Sequence, residues 1–398
     1  MSSHEVIVLG AGISGLSFAH YCSKAGLKTL VMEKDERVGG TLHSHQFESG
    51  DGFWIEMGAH TCYNSYGNLI GIVEDCDMLN QLIQRQKVPF KMLIDNHIKS
   101  IPSQLNYLEL LLSGPRIFTL KQTGQSIQAF YSKIVGNSNY KRVIGPAMSA
   151  VLSQKADDFP ADMLFKKRPR RKDVMKSFTF AKGVGTIAET VALQKNIEIV
   201  AGKKAQEITF KSGAFRIVAD GAVFETDKLV LATPASVAAD LLRTSFPALA
   251  EILSRIKVEK IESVGTLISK DLVKIPPVAG LIPSSDNFYS VVARDTVVHD
   301  KYRGFTFHFK PDVLSPEAKL KHMAEVLGVE QSQLGPTVEK LNFIPSLRVN
   351  HGSLIRQIEQ TISGSRLFLT GNYFDGVAIE DCVMRSLKEF TRLKAALR

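Results

Sequence analysis

The chain has 398 residues, 49 Lys and Arg against 40 Asp and Glu, and an apolar fraction of 44%. Such a chain can bury a large core divided over two or three domains, which excludes a disordered protein, a collagen or a coiled coil. With 29 glycines and 15 prolines, no low-complexity architecture is present. The formal charge of +9 is concentrated in one segment, Lys166, Lys167, Arg168, Arg170, Arg171 and Lys172. One short loop is not the basic face, interleaved with aromatics, that nucleic-acid binding requires, so no nucleic-acid partner is expected. The cluster reads either as a solvated loop or as an attractor of an acidic substrate or anionic headgroups. Phe159, Leu164 and Phe165 just upstream suit the last, a peripheral contact with an anionic membrane through Lys166–Lys172. Four cysteines without CxxC spacing point to a reducing, cytoplasmic compartment. Met1 leads straight into an apolar run with no signal-peptide regions, and no charge-free apolar stretch is long enough to span a bilayer.

The first element is the apolar run 5–9, of strand length, followed by Gly10-Ala11-Gly12-Ile13-Ser14-Gly15 and a helical stretch from Leu16 to Ala25. In a strand, turn and helix of this kind Gly10 permits the tight turn, Gly12 lets a pyrophosphate approach the backbone, and Gly15 allows helix to pack on strand. The helix N-terminus faces the phosphates. The second strand, 27–33, ends in Glu33, 18 residues after Gly15, where a carboxylate accepts hydrogen bonds from a ribose diol.

Glu33 opens the run Glu33-Lys34-Asp35-Glu36-Arg37-Val38-Gly39-Gly40, continued by Thr41 and Leu42. It resembles the extended FAD fingerprint of the amine oxidase and protoporphyrinogen oxidase superfamily, an extension absent from nicotinamide dehydrogenases. Arg37 can neutralise a phosphate, while Gly39 and Gly40 let the chain pass close under a cofactor. The far end is similar. Residues 366–382 read as a strand ending in Gly371-Asn372, then Gly376-Val377-Ala378 opening a helix. The resemblance puts Asn372 near the ribityl and phosphate region and the Val377 and Ala378 amides at the pyrimidine edge, where a helix N-terminus stabilises negative charge. Many members carry an acidic residue in place of Asn372.

Between the ends, residues 180–192 read as a turn and helix, 197–200 as a strand, 205–226 as a hairpin, and 228–234 as a strand closing at Ala232-Thr233-Pro234. The superfamily touches adenine through the backbone at a position matched here by Ala205. The resemblance therefore implies an α/β fold. A Rossmann-like, glutathione-reductase-type FAD-binding domain (1–84, 176–255 and 348–398) is interleaved with an α+β substrate domain (85–175 and 256–347). In the latter, 90–95 reads as a strand, 105–114 and 126–135 as helices, and 256–347 as sheet.

Glu56-Met57-Gly58-Ala59-His60 follows a strand and, by resemblance, runs past the isoalloxazine ring, with Gly58 and Ala59 small enough for close approach. His60 either assists proton removal or packs as a polar wall; protoporphyrinogen oxidases more often have Gly-Pro here. His43 and His45 share a strand face, but no acidic or Cys partner completes a zinc-type set, so no metal is expected. Family resemblance places a propionate-holding residue at Phe90 or Lys91, and Arg348 and His351 are further candidates for an anionic substrate. Taken together, the resemblance implies an FAD oxidoreductase acting on a small-molecule substrate. The first reading is a porphyrinogen; an amine is second, with Trp54, the only Trp, a candidate for an aromatic cage; a desaturase or mutase is third. A flavin-binding scaffold without turnover is the reading from another class. The sequence carries no sign of oligomeric state.

Overall fold

The computed structural model describes residues 4–397. Five short strands form a wholly parallel sheet in the order Ile197–Val200, Thr29–Met32, Val6–Leu9, Leu229–Leu231, Leu367–Leu369. Each of the three central strands is buried along its whole length, as a sheet covered on both faces must be. Their side chains alternate between two cores. Val6, Val8, Val31, Val230 and Phe368 pack with the helices Ile13–Lys24, Gly185–Ala192 and Ile379–Ala396. Ile7, Leu9, Leu30, Met32, Leu231 and Leu369 pack with the helices Ala235–Leu242, Pro247–Ser254 and His351–Thr361 and with a small antiparallel sheet. That small sheet corrects the hairpin expected over 205–226: it has three strands, Ala205–Lys211, Ala214–Ala219 and Ala222–Thr226. Two glycines with positive φ, Gly213 and Gly221, make both connections tight.

The second body is a seven-stranded sheet in the order Thr337–Ser346, Lys257–Ser269, Tyr302–Phe309, Phe288–Ala293, Gly280–Pro283, Phe90–Ile94, His97–Ser100. Both blocks of the expected substrate domain meet in it, joined by the parallel pairing of Phe90–Ile94 with Gly280–Pro283. Alternation again divides its faces. Val264, Phe305, Phe307 and Phe309 pack on the helix Pro316–Leu327, which the expectation of sheet over 256–347 omitted. The opposite face meets the segment 53–57: a Cβ on Gly304 or Gly265 would sit 2.4 Å or 2.2 Å from Ile55. A helical block, including Tyr107–Ser113, Ile127–Val135 and Gly145–Leu152, completes the body. Among the described residues no helix is long and apolar enough to cross a membrane.

Candidate functional site

Four motifs singled out in the sequence leave the carboxyl ends of four strands of the parallel sheet, where ligands of such sheets bind. Gly10 follows Leu9, Glu33 follows Met32, Ala232 follows Leu231, and Thr370-Gly371 follows Leu369. Hydrogen bonds hold these ends in step: Gly10 N donates to Met32 O (2.8 Å), Ala232 N to Leu9 O (2.8 Å), and Thr370 N to Leu231 O (3.0 Å).

The three glycines of the first turn differ in what surrounds them. Gly10 has φ +103°, and a Cβ there would lie 2.7 Å from Ala232 O; on Gly15 it would lie 1.9 Å from Gly10 O. Gly12 has nothing within 4 Å of its missing Cβ, so the space in front of it is open. It begins the helix Ile13–Lys24 with no side-chain cap, leaving the first N–H groups free for an external acceptor. Glu33 is buried and accepts from Ala11 N (2.8 Å) and Asp35 N (3.1 Å), which fixes its carboxylate beside that turn. The Thr233 hydroxyl is buried without a partner. An open glycine cradle, uncapped helix N–H groups, a fixed carboxylate and an orphaned hydroxyl on one sheet edge together fit a dinucleotide.

Arg37 donates to Val38 O (3.0 Å) and Gly40 O (2.9 Å), and forms no ion pair among the described residues. Gly39 and Gly40 have φ of +104° and +57°; Cβ atoms there would meet Leu42 O at 2.4 Å and the Gly12 Cα at 3.2 Å. Lys34 departs from expectation, because its side chain is exposed and pairs with Asp35. The Leu42 side chain belongs to the core. The chain itself also requires a glycine at 58: a Cβ would lie 2.3 Å from Thr41 O, to which Ala59 N donates (3.0 Å).

His60 keeps a partly exposed edge, bonds Thr61 Oγ1 through Nδ1 (2.9 Å), and is driven down to about 3 by burial and by Arg85, whose guanidinium donates to His60 O (2.5 Å). At neutral pH it is an uncharged imidazole. Glu56 is pushed up to about 7 by burial, although Val184 N (2.8 Å) and Ser44 Oγ (2.7 Å) donate to its oxygens. Arg294 stacks over Phe53 and Trp54, 4.5 Å from each ring centroid. Trp54 is thereby removed from any aromatic cage: it is buried, with its indole N–H on Ala181 O (2.6 Å).

The sheet face opposite this segment supplies residues that the sequence reading missed. Asn342 donates to Met57 O (2.9 Å), Thr306 to Glu56 O (2.9 Å), and Lys340 to Gly40 O (2.7 Å). Lys340 also makes no ion pair among the described residues, and burial with Arg37 nearby lowers it to about 7. Lys340 and Asn342 are spaced by two on one strand, the only signal in the sequence that could have paired them.

Three expected substrate contacts lie elsewhere. Lys91 alternates with Met92 and shares the face of Leu93 and its neighbour Leu281, whose core lies on the side of the sheet remote from segment 53–57. Phe90 takes the near face, its ring 3.0 Å from a Cβ built on Gly280. Arg348 pairs with Asp158 at the surface (2.5 Å). His351 is buried with Nε2 on Tyr373 O (2.6 Å), a structural bond.

At the far end, the helix Ile379–Ala396 starts after Gly376-Val377-Ala378, as expected, with Asn372 partly exposed nearby in sequence. Its first turn is acidic. Asp381 accepts from Ala378 N (3.2 Å) and is held by Lys166 (3.1 Å) and Arg168 (2.6 Å); Glu380 accepts from Asn68 N and Leu69 N. The basic loop is therefore partly internal. Arg171 is also paired, with Asp173 and Glu74, and Phe159 and Leu164 are core residues, leaving Phe165 exposed. His43 and His45 stand 6.1 Å apart, and among the described residues no cluster of three His, Cys, Asp or Glu could hold a metal.

Fold and site define a dinucleotide-binding protein in which the parallel sheet is joined to a separate seven-stranded sheet. A family model described as flavin containing amine oxidoreductase matches residues 13–268, and the chain belongs to that family of FAD-dependent oxidoreductases. It is 38% identical over 65 residues to a 15-cis-phytoene desaturase of Narcissus pseudonarcissus, covering 16% of this chain and 11% of that relative. The match thus spans about a tenth of the relative's length. A solved structure from Exiguobacterium sp. 255-15, described as a candidate protoporphyrinogen oxidase, superposes with TM-score 0.81 at 17% identity over 100% of both chains. Putrescine oxidase bound to putrescine gives 0.72 at 14% identity, over 98% of this chain and 99% of that one.

Proposed function

We propose that the chain oxidises an acidic, readily dehydrogenated macrocycle, a porphyrinogen, to the porphyrin, with FAD along the carboxyl edge of the parallel sheet. The observation that carries the substrate half is the charge around segment 56–60. Arg85 bonds His60 O and Arg294 lies over Trp54, while the adjoining carboxyl, Glu56, is buried and raised to about 7. A cationic amine would approach like charge here; a substrate bearing carboxylates is attracted. The resemblance of the whole fold to the Exiguobacterium structure supports the same reading.

FAD, when bound, supplies a two-electron acceptor for hydride. The protein supplies position and field. In this reading Glu33 takes the ribose diol, and the N–H groups of Gly12, Ile13 and Ser14 with Arg37 and Lys340 take the pyrophosphate. The Ala205 backbone meets adenine, the Thr233 hydroxyl gains the partner it lacks, and Asn372, Val377 and Ala378 line the ribityl and pyrimidine side. Gly58, Ala59 and His60 stand beside the ring. His60, held near 3, is too weak a base for proton transfer at neutral pH and serves as a neutral polar wall. Residues 85–175 and 256–347 form the substrate side, and the chain works in the cytoplasm.

The test is anaerobic mixing of the purified flavoprotein with protoporphyrinogen, following flavin absorbance and porphyrin fluorescence together, with spontaneous oxidation subtracted. Bleaching with porphyrin appearing supports the proposal. Bleaching by amines instead would reassign the substrate, and a flavin reduced by neither would leave a binding scaffold.

A further inference from the structure

The helix Tyr107–Ser113 is amphipathic with its apolar side turned outward. At about 100° per residue, Tyr107, Leu108, Leu111 and Leu112 span about 140° of its circumference. Leu108, Leu111 and Leu112 are 68%, 72% and 71% exposed, and the turn Gly114–Phe118 adds Ile117 and Phe118, the latter 89% exposed. The other side carries Glu109, Leu110 and Ser113, which face the protein.

That orientation is locked by polar contacts. Glu109 accepts from Ser138 N and Asn139 N (2.9 Å each). Asn139 accepts from Asn106 N (2.7 Å) and donates to Asn106 O (2.9 Å) and Val135 O (2.8 Å). Gly136, with φ +87°, leaves room for the Glu109 side chain, which would lie 2.2 Å from a Cβ there. Turning the helix to bury its leucines would strand a carboxylate and a buried amide, at roughly 1–3 kcal/mol for each unmet group. The exposed leucines are therefore a fixed feature of the fold.

We propose that this surface docks the protein on a bilayer containing anionic lipid. The argument for that occupant is charge. From residue 105 to 142 the chain carries Arg116, Lys121, Lys133, Lys141 and Arg142, all exposed, against one acid, Glu109, whose carboxylate is already bonded inward. Arg116 and Lys133 adjoin, since Arg116 Nη1 lies 3.4 Å from Lys133 O. Apolar side chains flanked by Arg116, Lys133 and, three residues beyond Phe118, Lys121 match acyl chains beneath anionic headgroups. A second copy fits worse, because a two-fold contact through this patch would set Arg116 and Lys121 against their own kind. The surface is distinct from the loop Lys166–Lys172, part of whose charge is paired with Asp381 and Glu74.

The test is flotation of the full chain with phosphatidylcholine vesicles, with and without about one third phosphatidylglycerol. The native protein should float with the anionic vesicles. The exposed triple substitution Leu108→Ser, Leu111→Ser and Phe118→Ser should lower partitioning at least about tenfold with flavin absorbance and melting unchanged. Arg116→Glu with Lys121→Glu should remove the preference for anionic lipid. A native chain that stays unbound, or a triple variant that partitions as the native one does, overturns the proposal. So does a dimer in sedimentation velocity that the triple substitution dissociates, which would give the surface to a second copy.

Discussion

Lys340, on the edge strand of the seven-stranded sheet, donates to the carbonyl of Gly40 at 2.7 Å, and Arg37 donates to the same oxygen at 2.9 Å. Two cations converge on one neutral acceptor, and among the described residues no carboxylate lies in ion-pair reach of either. Such a pair is costly until an anion arrives, and in the proposed reading both bodies of the molecule would offer it jointly as a counter-charge for the pyrophosphate.

Lys340→Met should weaken FAD binding to the apoprotein about tenfold, or about 1.4 kcal/mol, read by quenching of flavin fluorescence. The pH dependence has a definite sign. In the folded apoprotein Lys340 is lowered to about 7, so above that pH it must take up a proton to meet the phosphates. Native affinity should fall as pH rises from 7 towards 9, and the variant's should stay flat. Parallel profiles would remove Lys340 from the cofactor site.

Gly12→Val should abolish the flavin spectrum and leave cooperative melting intact. Gly12 has φ −71°, acceptable to any residue, and nothing within 4 Å of the new Cβ, so only a ligand would collide. Gly15→Ala should instead damage folding, since its Cβ would lie 1.9 Å from Gly10 O. A Gly12→Val protein retaining full flavin would overturn the placement of the pyrophosphate.

What the sequence made legible was local. The glycine turn, the carboxylate after the second strand and the glycine pair after Arg37 lie within a span of 31 residues, and each job follows from backbone sterics. What it hid depended on distance. Lys340 and Gly40 are 300 residues apart, and an alternating strand does not reveal which side meets a partner. The sequence leaves Phe90 and Lys91 as alternatives for that reason, since a shift of one residue exchanges the faces. The helix Pro316–Leu327 had its signals, a Ser315 N-cap, Pro at the first position and Gly328 beyond the end, but the alternation around it prevailed in the reading. His351 offered none, since a buried structural histidine and a ligand-binding one look alike in sequence.

Glu56→Gln should flatten the pH dependence of stability. The native carboxyl is raised to about 7, so between its unfolded value near 4.5 and 7 the unfolded chain holds fewer protons and stability falls as pH rises. The loss, at most ~3 kcal/mol, should be absent from the variant in denaturant titrations at pH 5 and pH 8. A variant that declines as the native protein does would show that Glu56 does not titrate there.

His351→Ala should cost about 1–3 kcal/mol of stability by leaving Tyr373 O without its buried donor, and KM should not move. Arg348→Ala, losing only an exposed pair with Asp158, should change stability by less than about 1 kcal/mol. A large KM effect from either would return that residue to the substrate site.

The central sheet also sets a timetable. Its strand Val6–Leu9 pairs with Thr29–Met32 early in the chain, but its other neighbour is Leu229–Leu231, and the edge is closed by Leu367–Leu369. Ser386, on the last helix, bonds Ser14 O in the first. At roughly 5–20 residues per second, the opening strands and the glycine turn wait about 20–70 s on the ribosome before that edge exists. During this interval the turn that would cradle a nucleotide has no finished sheet beneath it. Flavin capture is therefore expected only after Leu367–Leu369 has joined the sheet, and shortage of the cofactor in the cell would be felt as newly made chains that complete their topology yet linger empty.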